Sequence, residues 1–469
     1  MKRKICLWLA IVLIIVSLPA CRKQRESHNS DAGTTAFQET TQPKELLVFS
    51  KDCNMLLQSF GLNYPEIQIR SISMENMGKG GIEDLVKEHG EPDLILSRGD
   101  ISIEELVEKD LITAMGDMYE NDSSINKENY FPGVFEVGKI GEDQYALPLS
   151  LDLNYMVIRK SQWENSQLSN LPEKYAFSDL LTAMEAQLDN GQEDGYIHFY
   201  GLGSGFPVEL ALEGEAIQYI DGEVKVNEEI LTQLVRVLCK QKVNEAIEDG
   251  SSVSILHPAL DPTAYEGNYL AACWGNRIYA APQLGLVYAQ SVNQDYYNED
   301  INVVWYPGST AGEYNAEVHT MAMIGKNTEH KEYVYDVIRK MMDMEIKTWS
   351  TPDMMGTMAT YCPVQKDQAK KLLTTVEESE SNFYCFNDMS GEGGVTIPKR
   401  NLNDELREDL LNYLDNITNV YRKDPTLYAG VNDIILMYTY AADEGEIIND
   451  YEACSREILS KIEENRSQN

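Results

Sequence analysis

The amino-acid sequence predicts an α/β fold built from two domains. Short apolar or alternating segments that suit β-strands are interleaved with amphipathic segments that suit helices. This alternation is typical of parallel strands joined by helical crossovers. The chain has 469 residues, whereas single hydrophobic cores stop growing near about 250–300 residues. We therefore expect two cores and not one.

The N-terminal residues have the parts of a secretory signal. Three basic residues precede an apolar run from Ile5 to Leu18, which is shorter than the ~20 residues that span a bilayer. Leu18-Pro19-Ala20 then stands directly before Cys21 and resembles the lipobox of bacterial lipoproteins. The resemblance implies that residues 1–20 are a lipoprotein signal peptide and that Cys21 carries the lipid anchor. A secreted chain with a chance cysteine, or an uncleaved signal anchor, stays open as the alternative.

The segment after Cys21 differs sharply in composition from the rest. Residues 22–44 are rich in Ser, Thr and Gln and contain almost no large apolar side chain. Such a segment cannot bury enough surface to offset its ordering entropy. We expect residues 21–44 to comprise the lipidated cysteine and a disordered tether.

The net charge restricts the partners. The chain carries a formal charge of −37, and a polyanion repels nucleic acid and anionic lipid surfaces. We therefore expect no nucleic-acid partner, and we interpret the acidity as a source of solubility.

The predicted elements follow in chain order. Apolar or alternating runs predict strands, and periodic apolar positions predict helices, with Ser178 as a plausible helix N-cap. The predicted strands and extended segments are Glu45–Ser50, Glu66–Ser73, Pro92–Ser97, Tyr145–Ser150, Leu153–Ile158 and Ile301–Pro307, and the predicted helices are Ile82–His89, Ile101–Leu111, Ser178–Leu188, Tyr333–Met344 and Asp404–Val420.

Several of these segments, taken in order, resemble one family. They are Pro92-Asp-Leu-Ile-Leu-Ser97, Gly141-Glu-Asp-Gln-Tyr-Ala-Leu-Pro148, Asn154-Tyr-Met-Val-Ile-Arg-Lys160 and Met321-Ala-Met-Ile-Gly-Lys-Asn327. The collinear set resembles the extracellular solute-binding lipoproteins of bacterial ABC importers, in particular the sugar-type group. The match covers most of residues 45–350, and the sequence after Cys362 matches poorly.

The resemblance implies a two-lobed periplasmic-binding-protein-like fold of the class II type with a ligand cleft between the lobes. We place the chain crossings near Leu149–Asp152 and Trp305–Gly308. The N-terminal lobe then contains residues 45–150 plus 306–355, and the C-terminal lobe contains residues 151–305 plus 356–469.

The resemblance also implies the function and the partners. The chain is expected to be a monomer that captures a small solute by hinge closure, and the resemblance to the sugar-type group favours a sugar or oligosaccharide as that solute. It would deliver that solute to the transmembrane subunits of an ABC permease, without a cofactor and without enzymatic chemistry. Another small polar solute, such as a peptide or polyamine, stays open.

Ligands of open α/β sheets bind beyond the carboxyl ends of the strands. Asp52 follows the first predicted strand, and Arg98 and Asp100 follow the third. Carboxylates and guanidinium groups form paired hydrogen bonds with polar ligands. Asp152 lies just past the first crossing. The alternatives are that Asp100 caps the next helix and that Asp152 is a solvated hinge carboxylate.

Aromatic side chains at the crossings are the other candidates. Trp274 stands among small residues, and Trp305 and Tyr306 stand at the second crossing. Aromatic rings bury much area at low entropy cost and suit sugar surfaces. Because neighbours in a strand face opposite ways, we select Tyr306 and not Trp305 as a ligand contact. We also select Trp274, because its small neighbours would let the ring protrude. Packing in the core is the alternative for each ring.

The search for catalytic or metal motifs finds none of the usual signatures for hydrolases, zinc peptidases, phosphate-binding loops or calcium loops. The six histidines contain no i, i+4 pair, so we expect no histidine metal site. The cysteines form no C-x-x-C pair, and we expect most of them to be buried small hydrophobic residues, with one disulfide open. A lipoprotein sensor for a signalling receptor and a surface glycoside hydrolase stay open as alternatives.

Overall fold

The structure is a computed structural model. It describes residues 45–468 except 52, 76, 78–80, 99–100, 195–196, 201–206, 221–222, 248–269, 275–285, 287–289, 292, 296–297, 345–361, 375–382, 386–394, 398–399 and 444–450. The predicted signal peptide, Cys21 and the tether lie outside the described residues, as do Asp52 and Asp100. In the part of the chain that is described, no helix has the length and apolar character needed to cross a membrane.

The strands alternate with helices from residue 46 to residue 120, as the sequence pattern predicts, and several strands follow one another directly after that. In chain order they are β1 (Leu46–Ser50), β2 (Ile69–Ser73), β3 (Leu94–Arg98), β4 (Ile112–Thr113), β5 (Lys139–Ile140), β6 (Asp143–Gln144), β7 (Ala146–Asp152), β8 (Tyr155–Arg159), β9 (Ile197–Tyr200), β10 (Ile217–Ile220), β11 (Glu223–Val226), β12 (Leu270–Trp274), β13 (Ile301–Trp305), β14 (Tyr314–Gly325), β15 (Cys362–Pro363), β16 (Phe383–Cys385), β17 (Val395–Ile397) and β18 (Ile417–Tyr421).

The helices range from a single turn to long amphipathic segments. Those with defined bounds are α1 (Asn54–Asn63), α2 (Gly81–His89), α3 (Ile103–Glu108), α4 (Asp117–Glu120), α5 (Lys160–Glu164), α6 (Phe177–Asp194), α7 (Pro207–Glu213), α8 (Glu228–Ile247), α9 (Lys331–Asp343), α10 (Lys366–Thr374), α11 (Asp404–Asp415), α12 (Val431–Asp443) and α13 (Tyr451–Gln468).

The larger sheet has the order β15-β7-β14-β3-β1-β2, and β4 and β18 also pair with β14. Strands β1, β2 and β3 are parallel, whereas β14 runs antiparallel to both β3 and β7. Strands β1, β7 and β14 are buried along their whole length. Burial on both faces explains why β1 is an almost continuous apolar run. This sheet and its helices enclose the first hydrophobic core, which includes Phe49, Leu94 and Ile338.

The second sheet has the order β13-β8-β12-β9. Its core is distinct from the first and includes Phe177, Leu234 and Ile458. The core draws on helices from two distant parts of the chain, because α8 packs against α6 and also against α12 and α13. The two cores agree with the expectation from length. Three two-stranded sheets complete the described strands: β5 with β6, β10 with β11 and β16 with β17.

In the part of the chain that the structure describes, the chain passes between the two sheets in three places. Leu153 and Asn154 connect β7 to β8, and residues 306–313 connect β13 to β14. A third connection follows β18, whose next helix, α12, packs in the second core. The first two lie within a few residues of the predicted crossings. The third follows a strand that the sequence pattern did not predict.

The segment after residue 356 differs from the predicted lobe assignment. Strands β15 and β18 belong to the first sheet, where they pair with β7 and β14. The predicted helix Asp404–Val420 ends at Asp415, with Asn416 as its C-terminal cap. The residues that follow, Ile417 to Tyr421, are rich in side chains that favour strands and find a partner in β14. Among the described residues after 356, Leu427, Tyr428 and the helices α12 and α13 contribute to the second core.

Tyr413 illustrates how α11 is held in the first core. Its ring is fully buried and stacks on Trp305, with ring centroids 4.2 Å apart. Its hydroxyl donates to the carbonyl oxygen of Asn315, at 3.3 Å. Tyr413 thereby joins α11 to the end of β13 and to the start of β14, beside the second crossing.

Two helix N-termini differ from the sequence prediction. Ser102 is the N-cap of α3, and its hydroxyl accepts a hydrogen bond from the backbone N–H of Glu105 at 3.2 Å. The interpretation of Asp100 as the cap of this helix is therefore wrong. Ser178 lies inside α6 and not before it, and the carboxylate of Asp179 accepts from the N–H of Ala176 at 2.9 Å.

Candidate functional site

Polar groups gather at one edge of the larger sheet. Strands β3 and β7 are both antiparallel to β14, so they run in the same direction as each other and as β1. Their carboxyl ends, at Ser50, Arg98 and Asp152, therefore lie at the same edge. This is the edge from which the chain leaves for the second sheet at Leu153. It is the region where open α/β sheets bind ligands.

Three of the polar residues form a row across neighbouring strands. Thr320 of β14 pairs with Arg98 of β3 on one side and with Ser150 of β7 on the other. The residues Ser150 and Thr320 are 0% and 1% exposed, and neither hydroxyl has a hydrogen-bond partner in the described structure. A buried hydroxyl without a partner costs free energy. The row therefore offers hydroxyl groups that a polar ligand or a bound water can satisfy.

Asp152 and His319 add a charged or polar pair to this edge. The carboxylate Oδ2 of Asp152 lies 2.8 Å from Nδ1 of His319, and both side chains are buried. His319 sits where the pairing of β7 with β14 is irregular, between Val318 and Thr320. The irregularity redirects the side chain of His319 relative to a regular strand. Asp152 is thus a buried carboxylate that contacts His319 at the edge of the sheet. It is not the solvated hinge carboxylate that was the alternative.

The first crossing continues this polar region towards the second sheet. The side-chain amide of Asn154 donates to Oε2 of Glu213 at 2.8 Å, and the hydroxyl of Tyr421 donates to the same oxygen at 2.7 Å. Glu213 is completely buried, and its Oε1 has no hydrogen-bond partner. Burial, reinforced by the nearby carboxylates of Glu317 and Glu215, raises the pKa of Glu213 well above its ordinary value.

The third crossing carries two cations that point to opposite sides. Arg422 is hydrogen-bonded to Glu104 of α3 and donates through Nε to the carbonyl oxygen of Val137 at 2.9 Å. Lys423 binds Glu209 of α7, which is almost completely buried. The Arg422–Glu104 pair lies with the larger sheet, and the Lys423–Glu209 pair lies with the smaller sheet. Adjacent residues of the crossing thus contact both halves of the molecule.

The aromatic candidates lie elsewhere. Tyr306 is 1% exposed and packs near Phe177 in the second core, with ring centroids 6.5 Å apart. Trp305 is also buried, in the first core. The opposite placement of these neighbours follows the prediction, and in this conformation both rings contribute to packing. Trp274 ends β12, in register with Met156 of β8. Whether Trp274 and Tyr306 contact a ligand stays a prediction.

Sequence reasoning missed several members of this region. Ser150 and Thr320 carry no motif, and their importance depends on register between strands that are far apart in sequence. The Asn154–Glu213–Tyr421 cluster joins three distant segments of the chain. The one sign of Glu213 in the sequence is that a carboxylate ends the apolar helix α7. Such a position is common in so acidic a chain and does not single the residue out.

The metal-ligating and thiol side chains of the described residues indicate no further site. Among the described residues, no group of three or more His, Cys, Asp and Glu side chains is arranged to hold a metal ion. Four cysteines with described surroundings, Cys53, Cys239, Cys362 and Cys454, are buried. For these four, the expectation of small buried hydrophobic residues is confirmed.

Comparison with solved structures places this arrangement in a known fold. A sugar-binding protein MalE from Xanthomonas citri superposes with a TM-score of 0.54 at 13% identity, covering 90% of this chain and 98% of that one. An extracellular solute-binding protein of family 1 from Alicyclobacillus acidocaldarius gives a TM-score of 0.54 at 12% identity, covering 90% and 98%. This chain has the two-lobed fold of the extracellular solute-binding proteins.

A third solved structure extends the comparison. The cyclic α-maltosyl-1,6-maltose binding protein from Arthrobacter globiformis superposes with a TM-score of 0.54 at 12% identity, covering 91% of this chain and 100% of that one. No protein-family model matches the sequence, and no curated protein matches it. The likeness therefore rests on the fold. In that two-lobed arrangement, the polar edge formed by Arg98, Thr320, Ser150 and Asp152 lies beside the crossings between the lobes.

Proposed function

We propose that the protein is an extracellular solute-binding lipoprotein that captures a sugar or oligosaccharide between its lobes and delivers it to an ABC permease. Three solved structures that share its fold are described as solute- or sugar-binding proteins. The observation that carries the proposal is the row of Arg98, Thr320 and Ser150 at the crossing edge, with two buried hydroxyls that lack partners.

This row suits a ligand with many hydroxyl groups. Each sugar hydroxyl both donates and accepts a hydrogen bond, as do the hydroxyls of serine and threonine. The Arg98 guanidinium is a fixed planar donor, and the Asp152 carboxylate is an acceptor. We propose Asp52, Arg98, Asp100, Asp152, Trp274 and Tyr306 as the ligand-binding residues. Capture would occur by closure of the lobes around the ligand.

The anchor belongs to the same proposal. The lipobox at Leu18 to Cys21 would attach the mature chain to the extracytoplasmic face of the membrane, and residues 22–44 would tether the lobes near a permease. Replacement of Cys21 by serine should release the protein from the membrane fraction without a change in solute affinity. Retention of the Cys21→Ser chain in the membrane would contradict the lipid anchor.

The first test is a thermal unfolding screen of the protein with sugars, oligosaccharides, peptides and polyamines. A ligand present at 100 times its dissociation constant stabilises the folded state by about 2.7 kcal/mol. Stabilisation confined to one class of sugar supports the proposal and identifies the class of cargo. Stabilisation by polyamines or peptides alone would contradict the choice of sugar. A chromogenic glycoside in the same screen tests for hydrolysis, and turnover would favour the glycoside hydrolase.

Matched arginine variants sharpen the test. Arg98→Ala removes the proposed ligand donor at the strand end. Arg70→Ala removes an arginine on β2 that pairs with Glu45 at 3.6 Å and is half exposed. With the identified sugar, isothermal titration should give a loss of affinity of at least tenfold for the first variant and none for the second. Equal affinities would remove Arg98 from the site.

A further inference from the structure

A short turn between α7 and β10 contacts all three chain crossings. Glu213 is the last residue of α7, and Gly214 and Glu215 follow it. The side chain of Glu213 accepts hydrogen bonds from Asn154 of the first crossing and Tyr421 at the start of the third.

The second crossing is bound by the same turn. The side-chain amide of Asn315 donates to the carbonyl oxygen of Glu213 at 2.6 Å and lies 3.4 Å from Oε1 of Glu215. The other carboxylate oxygen of Glu215 accepts from the backbone N–H of Ser309 at 3.2 Å and from its hydroxyl. Ser309 within the second crossing and Asn315 just after it are therefore both bound to this turn.

The backbone of the turn is held in an unfavourable conformation. Glu215 has a φ of 57°, in the left-handed region that side chains other than glycine rarely adopt. A Cβ on Gly214 would lie 2.0 Å from the ring of Phe177, so no larger residue fits there. Such strain persists only where the surroundings fix it, and it is common at functional sites. The strain and the bonds to three crossings are independent signs of a specialised turn.

We propose that the Glu213–Glu215 turn is a clasp that holds the three crossings together, and that ionisation of Glu213 loosens it and favours separation of the lobes. The idea of lobe separation rests on the proposed function. The clasp itself rests on the bonds described above.

The environment of Glu213 provides the physical reason. The groups that face it are the phenol of Tyr421 from β18, the carboxylate of Glu317 from β14, the carboxylate of Glu215 from the turn, and the buried phenols of Tyr306 and Tyr413. The two cations of the third crossing, Arg422 and Lys423, are bound to Glu104 and Glu209. A charge created on Glu213 is therefore poorly compensated, and hydration is its main relief. Water reaches it most readily when the crossings separate.

The sign of the pH effect follows from this environment. Burial raises the pKa of Glu213 above its ordinary value, so the folded protein holds the proton more tightly than the unfolded chain does. The stabilisation is fully present below the ordinary pKa of a glutamate and is lost as the pH rises towards the raised pKa. The clasp should therefore be tight in mild acid and looser at neutral or higher pH.

The test compares the full chain with the variant Glu213→Gln, without any ligand. We would measure the radius of gyration by small-angle X-ray scattering and the midpoint of thermal unfolding between about pH 5 and about pH 8. For the native chain we expect the radius to rise and the midpoint to fall across this range. For Glu213→Gln, whose side chain cannot ionise, we expect both to change less. The variant Glu142→Gln, at an exposed position, should behave as the native chain does.

A second variant keeps the proposal testable if Glu213→Gln does not fold. Tyr421→Phe removes a hydrogen-bond donor that favours the ionised form of Glu213, so its transition should shift to higher pH. Identical pH profiles for the native chain and the variant that folds would overturn the clasp. Because these measurements need no ligand, failure to bind any sugar would count against the proposed function and leave the clasp standing. If the protein binds a sugar but its radius of gyration does not change with pH, the proposed function stands and the clasp is contradicted.

Discussion

His319 and Asp152 are joined across β14 and β7 by a contact of 2.8 Å between Nδ1 and Oδ2, in a site where both side chains are buried. The contact ties the strand that leads out of the larger sheet to the strand that leads back into it. It also fixes the carboxylate that the sequence selected as a ligand contact. The same residue therefore contributes to the stability of the fold and to the proposed site.

Removal of this carboxylate should destabilise the protein. Asp152→Ala leaves a buried histidine nitrogen without its carboxylate partner, at a cost of roughly 1–3 kcal/mol. Urea unfolding at fixed pH measures the change. The control Asp84→Ala breaks an exposed pair between Asp84 and Lys87 on α2, and we expect little change in stability. Equal effects of the two substitutions would show that the buried contact has no special weight.

The N-cap of α3 gives a prediction that separates capping from ligand binding. Ser102→Ala removes the hydroxyl that accepts from the N–H of Glu105 and should cost about 0.5–2 kcal/mol of stability. Asn403→Ala, at the N-cap of α11, removes a similar bond to Leu406 of 2.8 Å and should cost a similar amount. Asp100→Ala should weaken ligand binding and leave the unfolding midpoint nearly unchanged. A large loss of stability from Asp100→Ala alone would argue against this assignment.

Two glycines give opposite predictions. A Cβ on Gly325, at the end of β14, would lie 1.8 Å from the carbonyl oxygen of Pro92, so Gly325→Ala forces the strands apart and should cost about 1–3 kcal/mol or more. Gly61 lies in α1 with nothing within 4 Å of such a Cβ, and Gly61→Ala should stabilise by about 0.5–1 kcal/mol. Chemical denaturation of the two variants beside the native chain tests both signs. A Gly325→Ala variant as stable as the native chain would contradict the packing described at Gly325, and a destabilised Gly61→Ala variant would contradict the open space described at Gly61.

The buried cysteines should be chemically inert in the folded protein. Burial raises the pKa of the Cys239 thiol to about 12 and also raises the pKa values of Cys362 and Cys454. Since the thiolate is the reactive form, these three thiols should resist alkylation by iodoacetamide at neutral pH. Mass spectrometry of peptides from native and denatured samples measures the labelling. Rapid labelling of any of the three in the native sample would contradict its burial.

The predicted and observed folds agree best where one segment carries enough local information. The three strands and the helices α2 and α3 between Leu46 and Glu108 match predicted elements, because each strand is a short apolar or alternating run and each of these helices has an apolar face. The helix α1 was not predicted. Agreement fails at Asp404–Val420. There the periodic pattern continues past the end of the helix, and the pairing of Ile417 to Tyr421 with β14 converts its last residues into a strand.

The candidate site also contains residues that the local sequence pattern predicted and residues that it did not. The sequence selected Arg98 and Asp152 because both end or follow apolar runs, and strand order places them at one edge of the sheet. It did not select Ser150 and Thr320, since isolated hydroxyls carry no pattern. Nor did it select Glu213, whose partners Asn154 and Tyr421 lie 59 and 208 residues away along the chain.

The sequence by itself determined the α/β class and the need for two cores. These follow from local hydrophobic periodicity and from chain length, which act on short segments or on the whole chain. Only the tertiary structure decided that β15 and β18 complete the first sheet, that α12 and α13 return to the second core, and that one turn binds all three crossings. Those features depend on the pairing of distant segments, where register and burial select among partners that look equivalent in the sequence.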